Sequence, residues 1–320
     1  MKIITLVLLF IFLVCNQSFA WTVYTANEES MTISIVDTEK SIAQQVDVPA
    51  MPHNVDITRD KKTLLATGMA HDHKAGKLLV FDVSEGAPKL VKQINLGKHL
   101  AHVVPGENGR TAYVTDSESN SLLVVDYVAG KILNTITVGN YPHGLRLSPD
   151  GRWLATANMK DNTMSLVDIA VGQEKARIEV GKKPIQVAFS PDGRHIAASL
   201  FDENKIGIID IMSERLVKKY TVGNGPVQLS YTPDGKRIVV ANQGSKENPD
   251  NRLSVVNVDD GKVVFIKTGA SAHGVAISAD GMQAFVTNKV ANTLSVVHLE
   301  SESIIHSISV GEGPNGVISR

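Results

Sequence analysis

One short segment returns seven times along this 320-residue chain: a Gly- or Pro-marked turn, a small or polar residue, then an apolar strand running toward Asp-Gly. It reads PHNVDIT from Pro52, AHVVPGENG from Ala101, PHGLRLSPDG from Pro142, PIQVAFSPDG from Pro184, PVQLSYTPDG from Pro226, AHGVAISADG from Ala272 and PNGVIS from Pro314. Successive copies lie 49, 41, 42, 42, 46 and 42 residues apart, the period of a four-stranded propeller blade. A unit of that size cannot bury its own apolar face alone, whereas stacked neighbours can. Closing the stack into a ring also brings equivalent positions of every copy around one axis.

Each unit carries three more strand signals. In one of them these are TAYVTD (111–116), SLLVVDY (121–127) and ILNTITVG (132–139), with β-branched residues alternating or clustered as half-buried strands require. Asn-Gly or Asp-Gly at 108–109, 150–151, 192–193, 234–235 and 280–281 supplies residues suited to tight hairpin turns. No sustained helical periodicity follows residue 20. The last copy supplies only a first strand, while VYTANEESMTISIVD and QQVDV near the other terminus supply the remaining three. The fold class expected is therefore all-β: a seven-bladed β-propeller of four-stranded antiparallel blades, closed by N- and C-terminal strands that share one blade.

The segments AYVTDSESNSLLVVD, LATANMKDNTMSLVD and AFVTNKVANTLSVVH resemble the YVTN family of β-propeller repeats, and the resemblance extends over residues 21–320. It implies a seven-bladed ring related in fold to the propellers of nitrous oxide reductase and of haem d1 proteins. It specifies fold rather than function, because propellers host enzymes, cofactor sites and interaction surfaces alike.

Residues 1–20 read as a secretory signal peptide: Lys2, an apolar run from Ile3 to Val14, then Ser18-Phe19-Ala20 before the cleavage point. The remaining 21–320 form one propeller domain, expected in the periplasm or secreted, and expected to be a monomer. The run is too short to span a membrane as a helix. The one cysteine, Cys15, follows Val14 inside this leader, which fits a lipoprotein site poorly. Disulfides, thiolate ligands and thiol nucleophiles are thus excluded from the exported chain. Net charge is −1, becoming −2 without Lys2, and the charges are scattered, so no field attracts nucleic acid or an anionic membrane surface.

Within the repeat, one column holds His53, His102, His143, Ile185, Val227, His273 and Asn315. The column begins the innermost strand, so it is expected to line the mouth of the central channel. His99 and the loop histidines His71 and His73 fall on the same face. Imidazole is a common ligand of copper and zinc, and with sulfur absent the donor set would be nitrogen with oxygen from a residue such as Asp72. His53, His102, His143 and His273 are therefore candidate cofactor ligands, with His71, His73 and His99 as further metal ligands. The cofactor expected is a transition metal, copper or zinc foremost, or a noncovalent haem, since no C-x-x-C-H is present. Nitrous oxide reductase resembles this arrangement in holding copper with axial histidines, but Ile185, Val227 and Asn315 interrupt the ring here.

Two other readings stand beside this one. The flat face could be a plain scaffold for a periplasmic protein partner, its histidines bonding the neighbouring blade. Alternatively, the chain could be an enzyme like the propeller lyases and lactonases, which use a single histidine and a divalent ion. Carboxylates on the face (Glu28, Asp72, Asp116, Glu118, Asp161, Asp202, Glu203, Asp250) read mainly as turn-formers. His195, His298 and His306 read as structural or solvated. Two irregular loops, from Met69 to Gly76 and from Gln243 to Arg252, are either lids or surface variation. If the column binds metal through ordinary imidazoles, affinity is expected to rise between about pH 5 and 7.

Overall fold

Runs of Val, Ile, Leu and Thr bounded by Gly, Asn and Asp set the backbone of nearly every regular element as strand. The computed structural model describes residues 21–72 and 74–320; the leader over 1–20 and His73 lie outside the described residues. Seven antiparallel four-stranded sheets form, and helix is limited to the single turns Ser117–Ser119 and Phe201–Glu203 among the described residues. Six sheets use four consecutive strands each. In the seventh, Pro314–Ser319 pairs with Thr22–Asn27, which is followed by Thr32–Asp37 and Ile42–Asp47. The seven blades and their shared closure agree with the period of the repeat. No helix among the described residues is long and apolar enough to cross a membrane.

The core lies between blades rather than within them. Leu65, Leu78 and Leu96 of one blade pack against Leu100, Val103, Val114 and Leu123 of the next, all buried. Second strands such as Thr111–Asp116 are buried throughout, whereas outer strands such as Lys131–Thr137 bury one residue, Ile136, and expose the rest. Each blade therefore presents two apolar faces to its neighbours and a polar edge to solvent.

An Asn ending the second strand, in TAN, VAN or VTN, locks four of the seven blades. Asn158 Nδ2 donates to Thr163 Oγ1 at 2.9 Å and Ser165 Oγ at 2.8 Å across the hairpin. Asn27 and Asn288 repeat this with Thr32 and Ser34, and with Thr293 and Ser295, while Asn242 reaches Ser254. The chain leaving the outer strand then passes directly over this Asn. A Cβ on Gly139 would overlap the Asn158 side chain, and Gly223, Gly269 and Gly311 meet Asn242, Asn288 and Asn27 in the same way. Glycine is required there by close approach.

Two devices aim the histidine column at the axis. Every innermost strand breaks register beside the column, as between Pro142 and Leu145, a bulge that re-aims the side chains within it. A hydroxyl of the preceding blade also straps the column's backbone. Thr115 Oγ1 donates to His143 O at 2.9 Å, Ser199 Oγ to Val227 O at 2.6 Å, and Thr287 Oγ1 to Asn315 O at 2.8 Å.

The irregular segment from Gln243 to Arg252 proves to be largely a hairpin extension, with pairing continuing to Gly244 and Pro249 around a short turn. Asp250 is buried in it, accepting from Arg252 Nε and from Asn224 N. Its polar composition reflects these pairs. The segment from Met69 to Gly76 also continues its strands to the Met69–Gly76 pair, leaving a short exposed tip at His71 and Asp72.

Candidate functional site

His53, His102 and His143 converge at the axis, each offering one ring nitrogen within 4.8 Å of the others. Their ring centroids are 4.9 to 5.9 Å apart. Although His102 is the sequence neighbour, the tightest contact skips a blade: His53 Nε2 lies 3.2 Å from His143 Nε2.

The partners of the opposite ring nitrogens determine where the protons sit. His143 Nδ1 faces Ile185 O at 3.2 Å, and a carbonyl only accepts, so Nδ1 carries the proton. His53 Nδ1 lies 3.1 Å from Glu28 Oε1, which only accepts, and 3.1 Å from Asn315 Nδ2, which only donates, so its partners suit either tautomer. With the His143 proton on Nδ1, its Nε2 lone pair points at His53 Nε2 across 3.2 Å, a gap that a hydrogen on His53 Nε2 or a bound cation can occupy. Two nitrogens bound at about 2.0–2.1 Å to one tetrahedral ion lie about 3.3–3.4 Å apart, close to the gap found here.

Supporting groups hold this geometry. Glu28 Oε2 accepts from Lys289 Nζ at 2.8 Å and from Asn315 Nδ2 at 3.0 Å. Burial raises the pKa of the Glu28 carboxyl, but His53 and then Lys289 outweigh it and hold the group below the usual carboxylate range. Asn315 Oδ1 is buried without a hydrogen-bond partner among the described residues. The Gln186 amide is oriented by Val187 N donating to its Oε1, which directs its NH2 toward His102 Nδ1 at 3.4 Å, a contact at the weak end of hydrogen bonding.

Burial, followed by the neighbouring rings, holds His102 well below the usual imidazole pKa. Burial and His53 take His143 down to about 3. Both rings are therefore neutral across the pH range of most cells, and burial removes them from the titration expected between pH 5 and 7. The sign for stability follows: the unfolded rings bind protons that the folded ones refuse, so stability falls as pH drops through about 6.5.

The other candidates are placed apart. His273 is buried, its Nδ1 3.1 Å from Gln243 Oε1, and burial, then Lys289 and His53, lower its pKa. It stands outside the three-histidine cluster. His99 sits at the mouth beside Tyr141, with ring centroids 6.0 Å apart, and burial and His53 lower its pKa. His71 lies at the exposed tip of its loop. His195 approaches Asp210 at 3.8 Å, and His298 bonds Ser301. A cavity of about 460 Å³, lined by His195, Tyr220 and Tyr231, is distant from the cluster.

Sequence reasoning placed Glu28 among turn-formers and passed over Lys289 and Gln243. The signal was a second column. Strand register makes Glu28, Ser117, Met159, Phe201, Gln243 and Lys289 equivalent, each directly following the residue paired with the start of the innermost strand. Three of these six reach the axial histidines or their carboxylate partner.

The family of YNCE-like beta-propellers matches residues 99–320. No curated protein matches the chain. Among solved structures, a functionally unknown protein from Desulfotomaculum acetoxidans is similar at 17% identity and TM-score 0.79, covering 93% of this chain and 98% of that one. Kuenenia stuttgartiensis hydrazine synthase aligns at 21% identity and TM-score 0.73, covering 85% and 90%. A provisionally assigned 6-phosphogluconolactonase from Bacteroides uniformis aligns at 16% and 0.76, covering 94% and 99%. At these identities the likeness is one of fold.

Proposed function

Because this chain belongs to the YNCE-like beta-propeller family and its blades gather three histidines at one axis, we propose that it is an exported binding module for one transition-metal ion, held by His53, His102 and His143. The observation that carries this reading is the pair of Nε2 atoms facing each other at 3.2 Å, with His143 Nδ1 committed to Ile185 O and His53 Nδ1 beside the Glu28 carboxylate. The Glu28–His53 contact supports it, since a carboxylate on the far nitrogen orients a ligating imidazole and raises its basicity. A nitrogen donor set without sulfur favours copper or zinc over magnesium or calcium. The rings face one another at close range rather than the open plane a haem requires, which favours the bare ion.

The leader over 1–20 supports export to the periplasm, where a cysteine-free ring is suited to an oxidising compartment. Titration of the full chain with copper(II) or zinc in a calorimeter should give one site per chain, with tighter binding than magnesium by at least a thousandfold. A flat titration for copper, zinc, nickel and iron would leave the scaffold reading in its place.

A further inference from the structure

We propose that the opposite end of the channel binds a small zwitterion of the α-amino acid class, held between Arg146 and Asp56. Both lie three residues beyond a column histidine, His143 and His53. In the other five blades that position is Pro105, Ala188, Ser230, Ala276 and Ile318, which are small or apolar. Two opposite charges thus stand alone in an otherwise uncharged ring, and both line one cavity of about 280 Å³.

Their hydrogen bonding is incomplete. Among the described residues, Asp56 Oδ1 accepts only from the adjacent Ile57 N at 2.7 Å, and Arg146 Nη1 donates only to the adjacent Leu145 O at 2.9 Å. No ion pair joins the two among the described residues. The rim charges Arg59 and Glu107, by contrast, satisfy each other at 2.6 Å. Burial raises the Asp56 carboxyl to about 6, only partly opposed by Arg146, and burial lowers the Arg146 guanidinium. Half-buried charges left this way are costly unless something pairs them. A carboxylate on the guanidinium, where two parallel N–H bonds are available, and an ammonium on Asp56 would pair both. An anion alone would meet Arg146 but face the Asp56 charge.

The inference is independent of the metal reading. Its test is calorimetric titration of the full chain with L-alanine, with acetate and methylammonium as single-charge controls. L-Alanine should bind saturably, at least tenfold more tightly than either control. Arg146→Met and Asp56→Asn should each weaken it at least tenfold while copper titration still reports one site per chain, shifted in Arg146→Met only by loss of the charge that acts on His102. Asp56→Asn keeps the acceptor for Ile57 N, so it serves if Arg146→Met fails to fold. Acetate binding as tightly as L-alanine, or no saturable binding of L-alanine, would overturn the proposal.

Discussion

Removing residues 313–320 should abolish the cooperative thermal transition of the ring. The deleted strand Pro314–Ser319 supplies every backbone bond on one side of Thr22–Asn27. It also buries Val317 against Val23, Phe285 and Val296 on one side, with Ile318 packed against Tyr24 and Val55 on the other. Burial of two such side chains contributes up to about 3–6 kcal/mol, and the cut exposes the edge of Thr22–Asn27 as well. Arg320 adds bonds to Thr22 O and Val83 O. The total approaches the whole net stability of a typical domain, about 5–15 kcal/mol. Calorimetry should show a lost or drastically lowered transition; melting within a degree or two of the intact chain would mean that the shared blade does not close the ring.

His143→Ala should weaken copper or zinc binding at least a hundredfold. It removes one of the two facing nitrogens outright, so its effect should exceed the roughly 10- to 100-fold typical of losing a supporting partner. Glu28→Gln is such a partner change and should cost about tenfold, because an amide oxygen still accepts from His53 Nδ1 but without charge. His195→Ala and His306→Ala, on blade surfaces away from the axis, should leave affinity unaltered. His53→Gln provides a second test of the pair if the alanine variant proves unstable. Equal affinity for the parent and all five variants would assign the histidines to structure.

The period of the repeat was sufficient to read seven blades, their strands and the split blade, because strand alternation and turn residues are local signals that the ring merely assembles. The column of His53, His102 and His143 was legible for the same reason. Depth and rotamer were not. The sequence orders the blades as His53, His102, His143, but it does not show that His53 reaches past its neighbour to meet His143, nor that His273 turns instead to Gln243. Glu28 reads as a turn residue because an acidic residue after Asn in a hairpin fits turn duty; only strand register reveals that this position faces the axis. The lowered pKa of His102 and His143 comes from burial by side chains far apart in sequence, which no local pattern encodes. Asp56 and Arg146 escaped notice because each looks like an ordinary polar residue in an alternating strand until the ring places both at one cavity.

The central claim, a metal ion held by three axial imidazoles, is tested most directly by X-ray absorption of the full chain loaded with one equivalent of copper or zinc. The spectrum should show three imidazole nitrogens at about 2.0–2.1 Å, with the outer-shell scattering of histidine rings and no sulfur. A first shell of oxygen with at most one imidazole would contradict it.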